Sequence, residues 1–259
     1  METFLLFFVV GALAQAVDGA LGMAYGVISS SVLLAFGVPP AMASASVHGA
    51  EVFTTAASAG SHMWHRNVDW RLLTPLALAG VIGGVLGAYV LTGIEGDIIK
   101  PFIVAYLAAM GVYIVWRAGH DIKPRRLPSW AMAPTGMVGG FLDAVGGGGW
   151  GSTVSSTLIA AGQEPRRAIG TCNTAEFFLT VAISATFVWA LVTGHWAEAG
   201  ALENHAAAVG GLVVGGLLAA PFAGLIAKRV PRKVLTYAVG VLLLALAGFQ
   251  GLQLAGVLG

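Results

Sequence analysis

Long apolar stretches separated by short polar punctuation run the length of the chain. Those at roughly 41–63, 71–94, 98–116, 166–193, 204–228 and 232–257 are each near the about 20 residues that a helix needs to cross a bilayer. Two further apolar regions are interrupted. Residues 3–37 contain Asp18, Gly19, Gly22 and Gly26, and residues 129–162 contain Asp143 and the run Gly146-Gly147-Gly148-Gly149. Each half of an interrupted region has only about 14–18 residues, short for a span. Glycine runs cost helix stability, so the pattern predicts a break and a helical hairpin in each region. Pro39-Pro40 and Glu164-Pro165 predict the stop between each hairpin and the next helix.

The two interrupted regions are copies of one another. A shift of 125 residues places Asp18 on Asp143, Gly22 on Gly147, Gly26 on Gly151, Ser30-Ser31 on Ser155-Ser156 and Glu51 on Glu176. Across positions 18–51 this ungapped shift gives 12 identities in 34. Residues 1–120 and 121–259 therefore read as two repeats, each a Gly-broken hairpin, re-entrant or short, followed by three transmembrane helices. Internal repeats are a building plan of secondary transporters.

Composition narrows the class. Hydrophobic residues make up 57% of the 259 and charged residues only 10%, against about a quarter in soluble domains. The net charge of +1 excludes a basic nucleic-acid-binding face. Cys172 is the sole cysteine, which excludes an intramolecular disulfide and a paired-cysteine metal site. Ala12-Leu13-Ala14 resembles a signal cleavage site, but Glu2 stands where a basic segment belongs, so the N-terminal stretch reads as structure. No phosphate-loop lysine motif points to ATP. The chain is expected to be an all-α polytopic membrane protein, not an enzyme, without a cofactor, with the lipid bilayer as its partner. A homodimer is compatible with this reading.

Charge then chooses the orientation. If each broken region were one span, the 13 Lys and Arg residues would divide almost evenly between the faces. If each is a hairpin that enters and leaves on one side, the segments 64–71, 117–128, 163–167 and 228–233 share a face holding 12 of the 13, with only Lys100 opposite. Glu2, Glu95, Asp97, Glu198 and Glu203 fall on the other face. The positive-inside rule makes the basic face cytoplasmic. The expectation is two inverted repeats with both termini outside, as six spans plus two re-entrant hairpins or as ten spans.

Two constellations could carry chemistry. The first is the break itself. Non-helical backbone at membrane depth occurs where it is buried in protein or lines a wet cavity. Its free N–H groups and the start of the second leg attract anions. The backbone of Gly146, Gly147, Gly148 and Gly149, with the hydroxyls of Ser30, Ser31, Ser155 and Ser156, forms the candidate binding set. Thr171 and Asn173, on the following helix, complete it. The competing reading is that these glycines serve helix packing. The second constellation is His48-x-x-Glu51 and its counterpart Asn173-x-x-Glu176, each on one helix face near mid-membrane. An intramembrane carboxylate costs about 2.5–3.5 kcal/mol and marks a pathway, a relay or a brace. Asp18, Asp143, His48, Glu51 and Glu176 are the candidate gating or proton-relay groups. No metal site is expected, because no tight His/Cys cluster is present. Lys and Arg are absent from the predicted spans near these sites, so an anion would be held by dipoles and neutral donors. The carboxylates leave a divalent cation as the alternative cargo, with a passive anion channel and an intramembrane metalloenzyme as further readings.

The two-half plan, the Asp-x-x-Gly-Gly-Gly-Gly break at Asp143–Gly149 and the pattern Leu-x-x-x-Gly-x-x-Pro-x-x-Ala-x-Gly-Thr over Leu158–Thr171 resemble the TauE/SafE sulfite exporter family. The resemblance implies a bacterial inner-membrane transporter of sulfite or another small sulfur-containing oxyanion, sulfonates included, working by alternating access. The first half departs from the pattern: Met23-Ala24-Tyr25 stands in place of Gly148-Gly149-Trp150, and Ser44–His48 in place of Ile169–Asn173.

Overall fold

The computed structural model describes residues 1–120, 129–196, 202–220 and 231–257. Among these the chain is helical, without a strand. The first half runs α1 (Glu2–Leu21), α2 (Tyr25–Ala35), α3 (Pro40–Trp64), α4 (Trp70–Thr92) and α5 (Gly96–Gly119). The second half repeats the order: α6 (Met132–Gly146), a π-helical stretch (Gly151–Ser155) running into α7 (Ser156–Ala160), α8 (Pro165–Thr193), α9 (Leu202–Ala219) and α10 (Arg232–Leu254). Lys123, Arg125, Arg126, Glu198, Lys228 and Arg229, together with the end of the predicted span 204–228, lie outside the described residues.

Among the described residues four helices are long and apolar enough to cross a membrane: Trp70–Thr92, Gly96–Gly119, Pro165–Thr193 and Lys233–Leu254. Large apolar side chains such as Leu78, Ile82, Phe102 and Val192 are exposed on them, as a lipid-facing surface requires. Trp64 and Trp70 are exposed at helix ends, where an interfacial belt places aromatic rings. α3 has 25 residues but a polar inner face: Ser44, Ser46, His48, Glu51, Thr54 and Thr55 are all buried. These groups are tolerated because α3 is sheltered by α2, α6, α8 and α9.

Both interrupted regions are hairpins. α1 ends at Gly22 and α6 at Gly147, which adopt nearly the same left-handed backbone, φ 71° and 68°. A side chain is strained in that region, which explains the glycine at both positions. The returning legs lie back on the first ones. The ring of Phe7 on α1 meets that of Phe36 just past α2 at 5.7 Å, and Gly139 on α6 packs against Val154 in the π-helical stretch.

Glycines set the helix contacts. Gly136 and Gly140 on α6 press against the Leu76 and Gly80 carbonyls of α4, and Gly211 and Gly215 on α9 against those of Phe4 and Phe8 on α1. Any side chain there would collide with backbone and force the helices apart. The pairings are reciprocal: α4 lies on α6 as α9 lies on α1, with each pair running in the same direction. The remaining counterparts pack on each other, α3 on α8 and α5 on α10. Contacts between α3 and α8 join His48 to Phe187, Thr55 to Thr180 and Ser58 to Asn173. Numbers rise on one helix as they fall on the other, so these two counterparts are antiparallel.

Candidate functional site at the hairpin tips

The two hairpins meet tip to tip. A Cβ on Gly26 would stand 2.6 Å from the Gly148 Cα and 2.9 Å from Glu51 Oε1, so only glycine allows the approach. The open side of Gly147 faces the Ser30 side chain. Each tip is braced by its own aspartate. Asp18 Oδ1 accepts the Tyr25 N–H at 3.3 Å, and Asp143 Oδ1 accepts the Trp150 N–H at 2.7 Å. Both bonds bridge seven residues and cap the start of the returning leg, the work of an N-cap carboxylate. The Asp143 carbonyl also accepts the N–H groups of Gly147 and Gly148. Two donors of the predicted Gly-rich cradle, those of Gly147 and Gly148, and the Trp150 N–H that follows it are therefore engaged by Asp143 itself.

Asp143 also links the halves. Its Oδ2 is 3.1 Å from His48 Nε2, and both side chains are shut off from solvent, at 1% and 0% exposure. The other ring nitrogen, Nδ1, lies 2.8 Å from the Ser44 carbonyl and 3.2 Å from Ser44 Oγ. Ser44 Oγ adds a second tie between the halves by donating to the Ala144 carbonyl at 2.6 Å. Glu51 completes the group: one ligand atom each from His48, Glu51 and Asp143 lie within 4.8 Å of one another, all buried. Glu51 Oε2 has no hydrogen-bond partner.

The candidate hydroxyls occupy the returning legs. Ser30, Ser31, Ser155 and Ser156 are buried. Ser30 donates to the Val27 carbonyl, while Ser31 Oγ and Ser152 Oγ are buried without partners. Ser156 donates to the Ser152 carbonyl and accepts from the Arg117 guanidinium. This contact brings a positive charge to the second leg, where the sequence promised only neutral donors. Arg117 ends α5, outside the predicted span 98–116, but its long side chain reaches inward.

Thr171 and Asn173 are not brought to the tips. Thr171 Oγ1 accepts the Asp69 N–H at 2.9 Å, fastening α8 to the turn before α4, and Asn173 donates to Ser58 Oγ at 2.9 Å. Glu176, half-buried, is one turn beyond Asn173. The halves thus differ: His48 reaches the opposite tip aspartate, whereas its counterpart Asn173 bonds a serine on α3. Tyr106 on apolar α5 donates to the Gly148 carbonyl at 3.2 Å and lies against Gly146 and Gly149. Nothing in the sequence marked it, because a tyrosine in an apolar span reads as packing. Trp150, fully buried, donates from Nε1 to the Cys172 carbonyl at 3.1 Å.

Residues 7–249, which take in both hairpins, match the family described as Sulfite exporter TauE/SafE. The chain belongs to that family. A TauE/SafE match of this extent leaves only the ends of α1 and α10 outside. One similar protein is the Probable membrane transporter protein YtnM of Bacillus subtilis (strain 168), 40% identical over 247 residues, covering 93% of this chain and 80% of the relative. No solved structure matches the chain. This TauE/SafE chain is a multi-pass membrane transporter.

Proposed function

We propose that the protein is a secondary transporter that exports sulfite or a related small sulfur-containing oxyanion across the bacterial inner membrane by alternating access. Its halves, 1–120 and 121–259, act as inverted repeats with both termini outside. The antiparallel crossing of α3 and α8 supports this, since helices related by a parallel repeat would share one direction. One observation carries the transport reading: two Gly-broken tips, one from each half, touch at Gly26 and Gly148 and are tied across the halves by His48 and Asp143. Breaks at membrane depth from opposing repeats are where transporters bind substrate.

The oxyanion would be held beside the tips by Ser30, Ser31, Ser155 and Ser156 and, of the Gly146–Gly149 backbone, by the Gly149 N–H, since Asp143 engages those of Gly147 and Gly148. Arg117, seated on Ser156, supplies the compensating charge. Thr171 and Asn173 then fix α8 in place. Asp18 and Asp143 brace the tips, and Glu51, Glu176 and His48 move protons or gate. The His48, Glu51 and Asp143 cluster favours a second reading, a divalent cation, because three buried ligand groups converge there. Flux into proteoliposomes separates the two: sulfite, sulfate and nickel are offered to the purified protein. Sulfite flux is expected, and robust nickel flux without sulfite flux would overturn the anion reading.

A further inference from the structure

His48, Glu51 and Asp143 converge where the tips touch, and one ligand atom from each lies within 4.8 Å of the others. All three side chains are buried. His48 and Glu51 stand on α3 and Asp143 near the end of α6, so the group spans both halves. His48 Nε2 and Asp143 Oδ2 are 3.1 Å apart. Two donors at that spacing make about a right angle at an ion roughly 2.1 Å from each, which suits a first-row divalent metal. The outer nitrogen of His48, Nδ1, is held 2.8 Å from the Ser44 carbonyl, the kind of contact that orients a metal-bound histidine. Glu51 Oε2 is buried without a partner in the protein, which leaves it a lone pair to give to a ligand. Among the described residues the charges that bear on Glu51 are those of Asp143, Glu176 and Asp18, all negative. One imidazole and two carboxylates, with no thiolate, form a donor set for zinc, cobalt or nickel rather than for a soft ion.

We propose that this group is an inhibitory metal site, where a resident divalent ion such as zinc binds His48, Glu51 and Asp143 and locks the two halves together. The ion is a regulator held in place, not cargo, and its effect rests on the alternating-access part of the functional reading. In that cycle the repeats move against each other around the site. An ion bonded to α3 of one half and to α6 of the other must lose a ligand before the tips can part. The lock is one per chain. Asn173 takes the place of His48 in the other half and bonds Ser58, and this is the only such group of ligands among the described residues.

Zinc alone is the probe, so the test needs no transported solute and can fail separately from the sulfite assignment. Equilibrium dialysis of the purified protein against zinc chloride should find about one tightly held ion per chain, with a rise in melting temperature that a chelator reverses. Glu51→Gln keeps the shape of the side chain and should weaken binding at least tenfold; His48→Ala should abolish it. Binding that persists unchanged in both variants belongs to exposed histidines such as His65 and His120 and overturns the proposal, as does the lack of a bound ion. The lock itself is read by hydrogen exchange at the amides of residues 147–150, which zinc should slow at least tenfold in the wild type and leave unchanged in Glu51→Gln. Exchange indifferent to bound zinc, or zinc that accumulates inside proteoliposomes as cargo, overturns the lock.

Discussion

Thr55 and Thr180 stand 125 residues apart in the chain, and their hydroxyls lie 3.4 Å apart in the folded protein. That separation is the repeat shift, so each threonine touches its own counterpart. Such a meeting of equivalent positions is what the proposed inverted repeat, with an axis exchanging the halves, requires. The tips lie to either side of it, joined through His48 and Asp143.

Such an axis has a topological consequence. Single cysteines placed at Arg66, past the end of α3, and at Gly194, past the end of α8, should react with an impermeant reagent from opposite sides of the membrane. Labelling of both from one side would contradict the inverted arrangement.

The two tip aspartates should differ in weight. Asp143→Ala strands buried His48 and uncaps Trp150, so it is expected to cost about 3–5 kcal/mol, the range for breaking a buried pair. Asp18→Ala loses only the longer bond to the Tyr25 N–H and should cost about 1 kcal/mol. Denaturation of the detergent-solubilised protein measures both, and equal losses would refute the asymmetry.

Backbone strain at the first tip gives a stabilising change. Ala24 has φ 98°, where its repeat counterpart is Gly149 with φ 134°. Ala24→Gly should therefore relieve about 1 kcal/mol or more, seen as a higher melting temperature. The reverse change, Gly149→Ala, should destabilise, because the Tyr106 hydroxyl fills the space a Cβ needs.

Arg117 provides a test of charge at the second leg. Arg117→Gln keeps a donor for Ser156 and removes the charge, so the apparent affinity for sulfite should fall by about tenfold, the equivalent of 1.4 kcal/mol. Unchanged affinity would remove Arg117 from the substrate site.

Much of this arrangement was legible in the sequence because it depends on periodicity and repetition. Gly22 and Gly147 marked the breaks, and the observed left-handed turns explain why. The helix limits came within a few residues because prolines and polar turns bound them. What the sequence could not give was reach. His48 and Asn173 occupy equivalent positions but bond different elements, a difference set by side-chain length and by what faces each. Thr171 looked like a ligand for the same reason that it makes a good fastening, a hydroxyl near a helix start. Arg117 and Tyr106 come to the second hairpin from α5, and no local spacing announces a contact across some forty residues.

In the proposed transport cycle a sulfur oxyanion passes between the two tips. The most direct measurement is sulfite flux in proteoliposomes carrying either the wild type or Gly26→Val, whose side chain would wedge the tips apart against Gly148 and Glu51. Saturable sulfite flux is expected in the wild type and its loss in the variant. Wild-type vesicles that pass nickel but no sulfite, or a Gly26→Val protein that still carries sulfite at the wild-type rate, would contradict it.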